Sequence, residues 1–175
     1  MTRRAASAIT SALLGACLLA SCELPQSEGL TELQRPDRAS FPLVADALQP
    51  SCGTLDCHGQ RGRNLRLFGG RGLRLDPHGN SADEPTSEAE YRASFLSVVA
   101  LEPEALDAVI RSGGQDPERL SLVRKARGAE LHKGGVQMLP GDPLDRCLLS
   151  WLEGHVRADS CLRVASSPRP YPDVP

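Results

Sequence analysis

The chain has 175 residues, and its 20 lysines and arginines are nearly balanced by 22 aspartates and glutamates, giving a formal net charge of −2. This length predicts one domain once terminal segments are set aside, and the charge balance argues against nucleic-acid binding, which requires an extended basic face. Aromatic residues make up only 3% of the chain, so we expect a core that is short of large apolar side chains.

The N terminus has the pattern of an export signal. Arg3 and Arg4 precede an apolar run over 12–20, which is too short to cross a bilayer as a lasting helix. The run ends in Leu-Ala-Ser-Cys at 19–22, which resembles the lipobox of bacterial lipoproteins. That resemblance implies cleavage before Cys22 and a lipid anchor on Cys22. The alternative is an ordinary secretory signal that leaves Cys22 as a free or disulfide-bonded thiol.

Both alternatives place the domain outside the cytoplasm, in the cell envelope, where it faces the periplasm or the cell surface. No second apolar span follows, so the lipid is the only membrane anchor that the sequence indicates. We predict a signal peptide over 1–21, a polar tether over 22–39, a folded domain over 40–165 and a proline-rich tail over 166–175.

The domain begins with a short helix that leads into a pair of cysteines. Ser40 is a suitable N-cap, and Phe41, Val44 and Leu48 recur at the spacing of one helical face. The segment that follows is Cys52-Gly-Thr-Leu-Asp-Cys57-His58. In the shorter run C-x-x-C-H, the two sulfurs hold haem through thioethers and the histidine binds the iron. Here the spacer has four residues, so we expect the segment to loop out of helical geometry, which Gly53 permits.

On these residues the chain resembles a small, class I-like bacterial c-type cytochrome, and its C-x4-C-H motif is similar to a variant found mainly in multihaem cytochromes. The resemblance implies covalent haem c on Cys52 and Cys57, with His58 as an axial ligand of the iron. One alternative is a small disulfide loop between Cys52 and Cys57, with His58 exposed. Another is a zinc site formed by Cys52, Cys57, His58 and His132, which an oxidising compartment disfavours.

The rest of the domain is predicted to be mostly α, with a short hairpin inserted directly after the cysteine motif. Residues 63–76 form two alternating runs around a glycine cluster, which is typical of a hairpin. Helix-start signals then follow at Ser87 with Glu90, Pro103, Asp116-Pro117 and Asp142-Pro143, the last of which opens the expected final helix.

A second iron ligand is expected on the loop before that final helix. Met138 is the only methionine that remains after signal removal. In class I cytochromes c, the second ligand is a methionine in this place, so the resemblance implies Met138. His132, six residues earlier, is the rival. Ligation by methionine and histidine raises the reduction potential relative to two histidines.

The remaining cysteines are predicted to form a structural disulfide. Of the six, Cys17 leaves with the signal and Cys22 takes lipid. If Cys52 and Cys57 hold haem, Cys147 and Cys161 are left for each other, and a bridge would tie the C-terminal segment to the final helix. A buried porphyrin would also supply apolar area that the aromatic-poor core lacks.

The sequence therefore predicts a lipid-anchored monohaem c-type cytochrome that passes single electrons between redox protein partners and is not itself an enzyme. The alternative is a haem-free, disulfide-stapled helical lipoprotein that acts as a binding or structural module.

Overall fold

A computed structural model describes residues 32–76, 78 and 84–167, and in these residues the chain is mostly α, with no β-strand. The expected signal peptide, Cys22 and most of the predicted tether and tail lie outside the described residues. None of the described helices combines the length and apolar character needed to cross a membrane. The helices are α1 (Phe41–Leu48), α2 (Glu88–Val99), α3 (Pro103–Arg111), a 3₁₀ helix (Pro117–Arg119), α4 (Ser121–Ala126), α5 (Pro143–Leu152) and α6 (Ala158–Ala165).

Three aromatic rings from three helices form the centre of the core. Phe41 of α1 lies 5.4 Å from Phe95 of α2 and 5.1 Å from Trp151 of α5, measured between ring centroids. Trp151 is only 1% exposed, and its indole Nε1 donates a hydrogen bond of 2.8 Å to the carbonyl oxygen of Asp37. Three of the six aromatic residues of the chain thus meet where α1, α2 and α5 pack together, and Asp37, within the predicted tether, already contacts this core.

The starts of α1 and α2 are stabilised in different ways. The predicted capping box is confirmed at α2, where the Ser87 hydroxyl accepts from the Glu90 amide and the Glu90 carboxylate accepts from the Ser87 amide. Ser40 precedes α1 as predicted, but its side chain makes no cap hydrogen bond. The carboxylate of Asp37 instead accepts from the amides of Ala39 and Ser40, which are otherwise unpaired at the helix start.

The C-terminal region has one more helix than the sequence predicts. The sequence predicts α5 as the last helix, but α6 follows it and carries Cys161. The disulfide between Cys147 and Cys161 therefore joins two helices. The apolar pattern of α6 is sparse, because only Cys161 and Val164 bury apolar side chains there. The helix expected after Asp116-Pro117 is also divided, into the 3₁₀ helix and α4.

The hairpin predicted over 63–76 is wrong. The segment is a loop that contains only isolated bridges, Thr54 with Gly72 and Phe68 with Leu73. Its backbone pairs with itself only in the turn at 69–73, where the Gly69 amide donates to the Leu73 carbonyl at 2.9 Å. Before that turn it pairs with α2: Ser97 accepts from the Arg66 amide at 2.7 Å, and Ser94 accepts from the Phe68 amide at 2.9 Å. Two serine hydroxyls on one face of α2 therefore replace the cross-strand partners of a hairpin.

A buried ion pair fixes the end of this loop, which we call the arginine loop (residues 61–76), to the start of α2. Arg74 Nε lies 3.0 Å from Glu90 Oε1, and the two side chains are 7% and 0% exposed. Glu90 also accepts from the amide of Leu75 at 3.0 Å. Burial by itself raises the pKa of Glu90, but hydrogen bonds from Ser87 and Leu75 and the charge of Arg74 together bring it below its ordinary 4.5.

Replacing Glu90 with glutamine should destabilise the fold by about 3–5 kcal/mol at neutral pH, because the buried Arg74 loses the carboxylate that lies 3.0 Å from its Nε. The folded-state pKa of Glu90 is lowered, so its contribution is complete above the unfolded value of about 4.5 and is lost as the pH falls through the folded value. The difference in the free energy of unfolding between Glu90→Gln and wild type should therefore become smaller as the pH is lowered.

Urea unfolding at several pH values measures this difference. Glu88→Gln is the matched control, because Glu88 is 77% exposed and lies 4.0 Å from its arginine partner. Equal unfolding midpoints for Glu90→Gln and Glu88→Gln at neutral pH would show that the buried pair contributes nothing.

Candidate functional site

The cysteine segment is a compact series of turns at the end of α1. The Cys52 amide donates to the Leu48 carbonyl at 2.8 Å, which extends the helical hydrogen bonding by one step. The Cys57 amide then donates to Thr54 at 3.0 Å, and the His58 amide donates back to the Cys52 carbonyl at 2.8 Å. The segment loops as the four-residue spacer predicts, and the loop brings His58 beside Cys52.

Two glycines allow the arginine loop to lie directly against the cysteine segment. A Cβ atom added to Gly59 or to Gly72 would overlap the carbonyl oxygen of Gly53. Backbone therefore contacts backbone here, at the isolated bridge between Thr54 and Gly72. A side chain at Gly72 would push the two segments apart, and one at Gly59 would disrupt the turns of the cysteine segment itself.

His58 is held in one orientation by the arginine loop. Its Nδ1 lies 3.1 Å from the carbonyl oxygen of Leu65, and its own carbonyl accepts from the Leu67 amide at 2.9 Å. Because a carbonyl can only accept, Nδ1 carries the proton and Nε2 keeps its lone pair. Histidines that bind metals have this arrangement, in which the second ring nitrogen donates to a carbonyl or carboxylate.

The pKa of His58 is lowered, mainly because the half-buried ring is desolvated. The hydrogen bond to Leu65 opposes this effect, while the nearby charges of Arg63 and Lys125 and the ring of His132 add to it. The imidazole is therefore neutral at neutral pH, which is the form that can bind a metal through Nε2.

His132 lies next to His58. The two ring centroids are 5.9 Å apart, and the ring planes differ by 16°. His132 Nδ1 lies 3.3 Å from the Gly135 carbonyl oxygen and donates to it. Two imidazoles from distant parts of the chain thus meet at one place.

A cavity of about 390 Å³ opens beside these rings. We call it the histidine cavity, and its size is within the range of small-molecule and cofactor sites. Its wall combines one thiol, two imidazoles, two cations and several apolar groups: Cys52, His58, His132, Arg63, Lys125, Leu65, Leu101, Leu122 and Ala126. No sequence pattern marks Lys125 or Leu122 as site residues, because they reach the cavity only through the packing of α4.

Met138 does not line the histidine cavity. Its side chain is completely buried in the hydrophobic core, and its amide donates to the Ala126 carbonyl at 3.1 Å. Its neighbour Gln137 does reach the cavity wall. Of the two candidate second ligands, the structure therefore brings His132, and not Met138, to the same cavity as His58.

Cys52 and Cys57 are both free thiols in the structure. Burial raises the pKa of Cys52 to about 12, and the neighbouring Cys57 contributes a smaller increase. Cys52 is therefore fully protonated at neutral pH and is a poor source of the thiolate that zinc requires. Among residues 32–76, 78 and 84–167, no group of three or more His, Cys, Asp or Glu side chains is arranged to hold a metal ion.

Comparison of the chain with protein-family models, with curated proteins and with solved structures gives no match.

The two thiols should differ in reactivity in the folded, haem-free protein. Cys57 is partly exposed, whereas Cys52 is 8% exposed with a raised pKa, so iodoacetamide should modify Cys57 much faster. Peptide mass mapping after timed alkylation measures both rates. In urea the two rates should converge, and equal rates in the folded state would contradict the described burial of Cys52.

Proposed function

We propose that the protein is a lipid-anchored, monohaem c-type cytochrome with a small cytochrome c-like domain, and that it carries single electrons between protein partners in the cell envelope. The observation that carries the proposal is a pair of imidazoles, each with Nδ1 at a backbone carbonyl, in the wall of one cavity beside a C-x4-C-H segment. When bound, haem c supplies a ferric–ferrous couple that takes up and releases one electron.

The residues around the histidine cavity fit this group. Cys52 lines the cavity and Cys57 immediately precedes His58, and both sulfurs are free to form thioethers. Arg63 and Lys125 supply positive charge at the wall, which would pair with the carboxylates of the haem propionates. A haem-free module stapled by a disulfide between Cys52 and Cys57 is less well supported, because these two thiols are not joined.

His58 and His132 would hold the iron, each through Nε2. The Leu65 carbonyl holds the ring of His58 through Nδ1, and the Gly135 carbonyl holds that of His132 in the same way. Such hydrogen bonds also raise the basicity of the ligating nitrogen. Two histidines give a lower reduction potential than one histidine and one methionine, so we assign the protein to the lower-potential carriers.

The apolar part of the wall limits access of water to the site. Leu65, Leu101 and Leu122 line the cavity, and Leu65 is 6% exposed. Exclusion of water from a metal site influences its reduction potential. The lipid anchor is proposed at Cys22, on the strength of the Leu-Ala-Ser-Cys sequence at 19–22, and it would keep the carrier at a membrane surface.

Export of the protein in a host with a haem-attachment system should give a red product that keeps its haem on a denaturing gel. Cys57→Ala removes one thioether sulfur and should strongly reduce the attached haem, measured as the pyridine haemochrome. Asp56→Ala is the control, since Asp56 is exposed on the same loop. A colourless wild-type product would contradict the proposal.

The second ligand is tested by His132→Ala and Met138→Leu in the holoprotein. In the ferric state, we expect wild type and Met138→Leu to have the same spectrum, that of a low-spin haem iron with two nitrogen ligands. Met138 is buried and does not line the cavity, and leucine conserves its volume. His132→Ala should lose that spectrum and become high-spin. Electron paramagnetic resonance and the near-infrared charge-transfer band measure this, and loss of the wild-type spectrum in Met138→Leu alone would identify Met138 as the ligand.

A further inference from the structure

A second concave surface lies beside the histidine cavity. We call it the arginine groove: it has a volume of about 880 Å³, with the arginine loop on one side and α2 on the other. The groove and the histidine cavity share Gly62, Arg63, Asn64 and Leu101 in their walls. Anything that binds in the groove is therefore a direct neighbour of the cavity that we assign to haem.

One side of the arginine groove carries concentrated positive charge. Arg61, Arg63 and Arg66 line it, and no carboxylate does so among the residues that the structure describes. Arg61 and Arg66 are exposed and take part in no ion pair with the rest of the described chain. The chain as a whole has a formal charge of −2, so these three guanidinium groups form a local exception to its acidic balance.

The other side of the groove is apolar and partly open to solvent. Leu96 of α2 is 47% exposed and Leu75 of the arginine loop is 44% exposed, and Ala93, Ala100 and the half-buried Phe68 lie in the same wall. Protein–protein interfaces combine an apolar centre with a polar rim, and arginine is enriched in them. A small inorganic anion would use the charges of this surface but leave its leucines exposed.

We propose that the arginine groove is the docking surface for an acidic one-electron carrier protein. The inference rests on the proposed function, because a haem in the adjacent cavity is what such a partner would exchange an electron with. Carboxylates of the partner would pair with Arg61 and Arg66, while its apolar side chains would cover Leu75 and Leu96. The exchange oxidises one metal centre as it reduces the other, by one electron, and no covalent bond forms or breaks.

Stopped-flow mixing of the reduced holoprotein with an oxidised, acidic blue-copper protein tests the docking surface. The second-order rate constant should fall as salt is added, since attraction between opposite charges is screened. The double variant Arg61→Glu/Arg66→Glu should lower the rate at low salt by about tenfold or more. The matched control pair is Arg157→Glu/Arg163→Glu, which changes the net charge by the same amount. Both arginines are exposed and lie at α6, which does not line the groove, so the rate of this control should stay within about twofold of wild type.

A binding measurement separates failure of this inference from failure of the proposed function. The zinc-substituted form of the same acidic protein, which transfers no electron, is titrated into ¹⁵N-labelled protein, with or without haem. The amide chemical-shift changes should be largest at Arg66, Leu96 and Ser97, and they should be absent in Arg61→Glu/Arg66→Glu. If the protein holds no haem, the proposed function fails, and this map still decides whether the groove binds an acidic protein.

Either of two results would contradict this docking proposal. One is a set of chemical-shift changes that maps away from the arginine groove or persists in Arg61→Glu/Arg66→Glu. The other is an electron-transfer rate constant that is unchanged in Arg61→Glu/Arg66→Glu. Shifts at the groove produced by anionic phospholipid vesicles, but not by the acidic protein, would assign the surface to a membrane instead.

Discussion

The hydrogen bond between His58 Nδ1 and the Leu65 carbonyl is the contact on which the proposed chemistry depends, because it decides which nitrogen of the ring can bind a metal. Leu65 is positioned by its neighbours in the arginine loop. That loop is held in turn by Ser94 and Ser97 of α2 and by the buried pair of Arg74 and Glu90. The orientation of one imidazole is therefore set by the packing of a loop against a helix, and not by the cysteine segment alone.

The core and the histidine cavity are built from different residues. The scarcity of aromatic residues suggested a core that needs a porphyrin to complete it. The structure instead places Phe41, Phe95 and Trp151 in one cluster, and none of them lines the cavity. The disulfide between Cys147 and Cys161 ties α5 to α6 near the end of the chain. A cofactor at the cavity would thus bind to a fold whose central packing comes from its own side chains.

Sequence reasoning succeeded where a local side-chain signal specifies a local structure. The capping box of Ser87 and Glu90 and the prolines at 103 and 143 mark three helix starts correctly. It failed over 63–76, because alternating residues there pair with serines on a helix that comes later in the chain. It also missed α6, whose apolar pattern is sparse. The meeting of His58 and His132 depends on how α4 and the following loop pack, which no local pattern specifies.

The proposed function requires that the sulfurs of Cys52 and Cys57 bond covalently to haem. Intact-protein mass spectrometry of the exported protein, followed by peptide mapping, tests this claim most directly. We predict a mass increase of one haem, located on the single peptide that contains Cys52, Cys57 and His58. A peptide without haem, in which the two cysteines are joined to each other by a disulfide, would contradict the account.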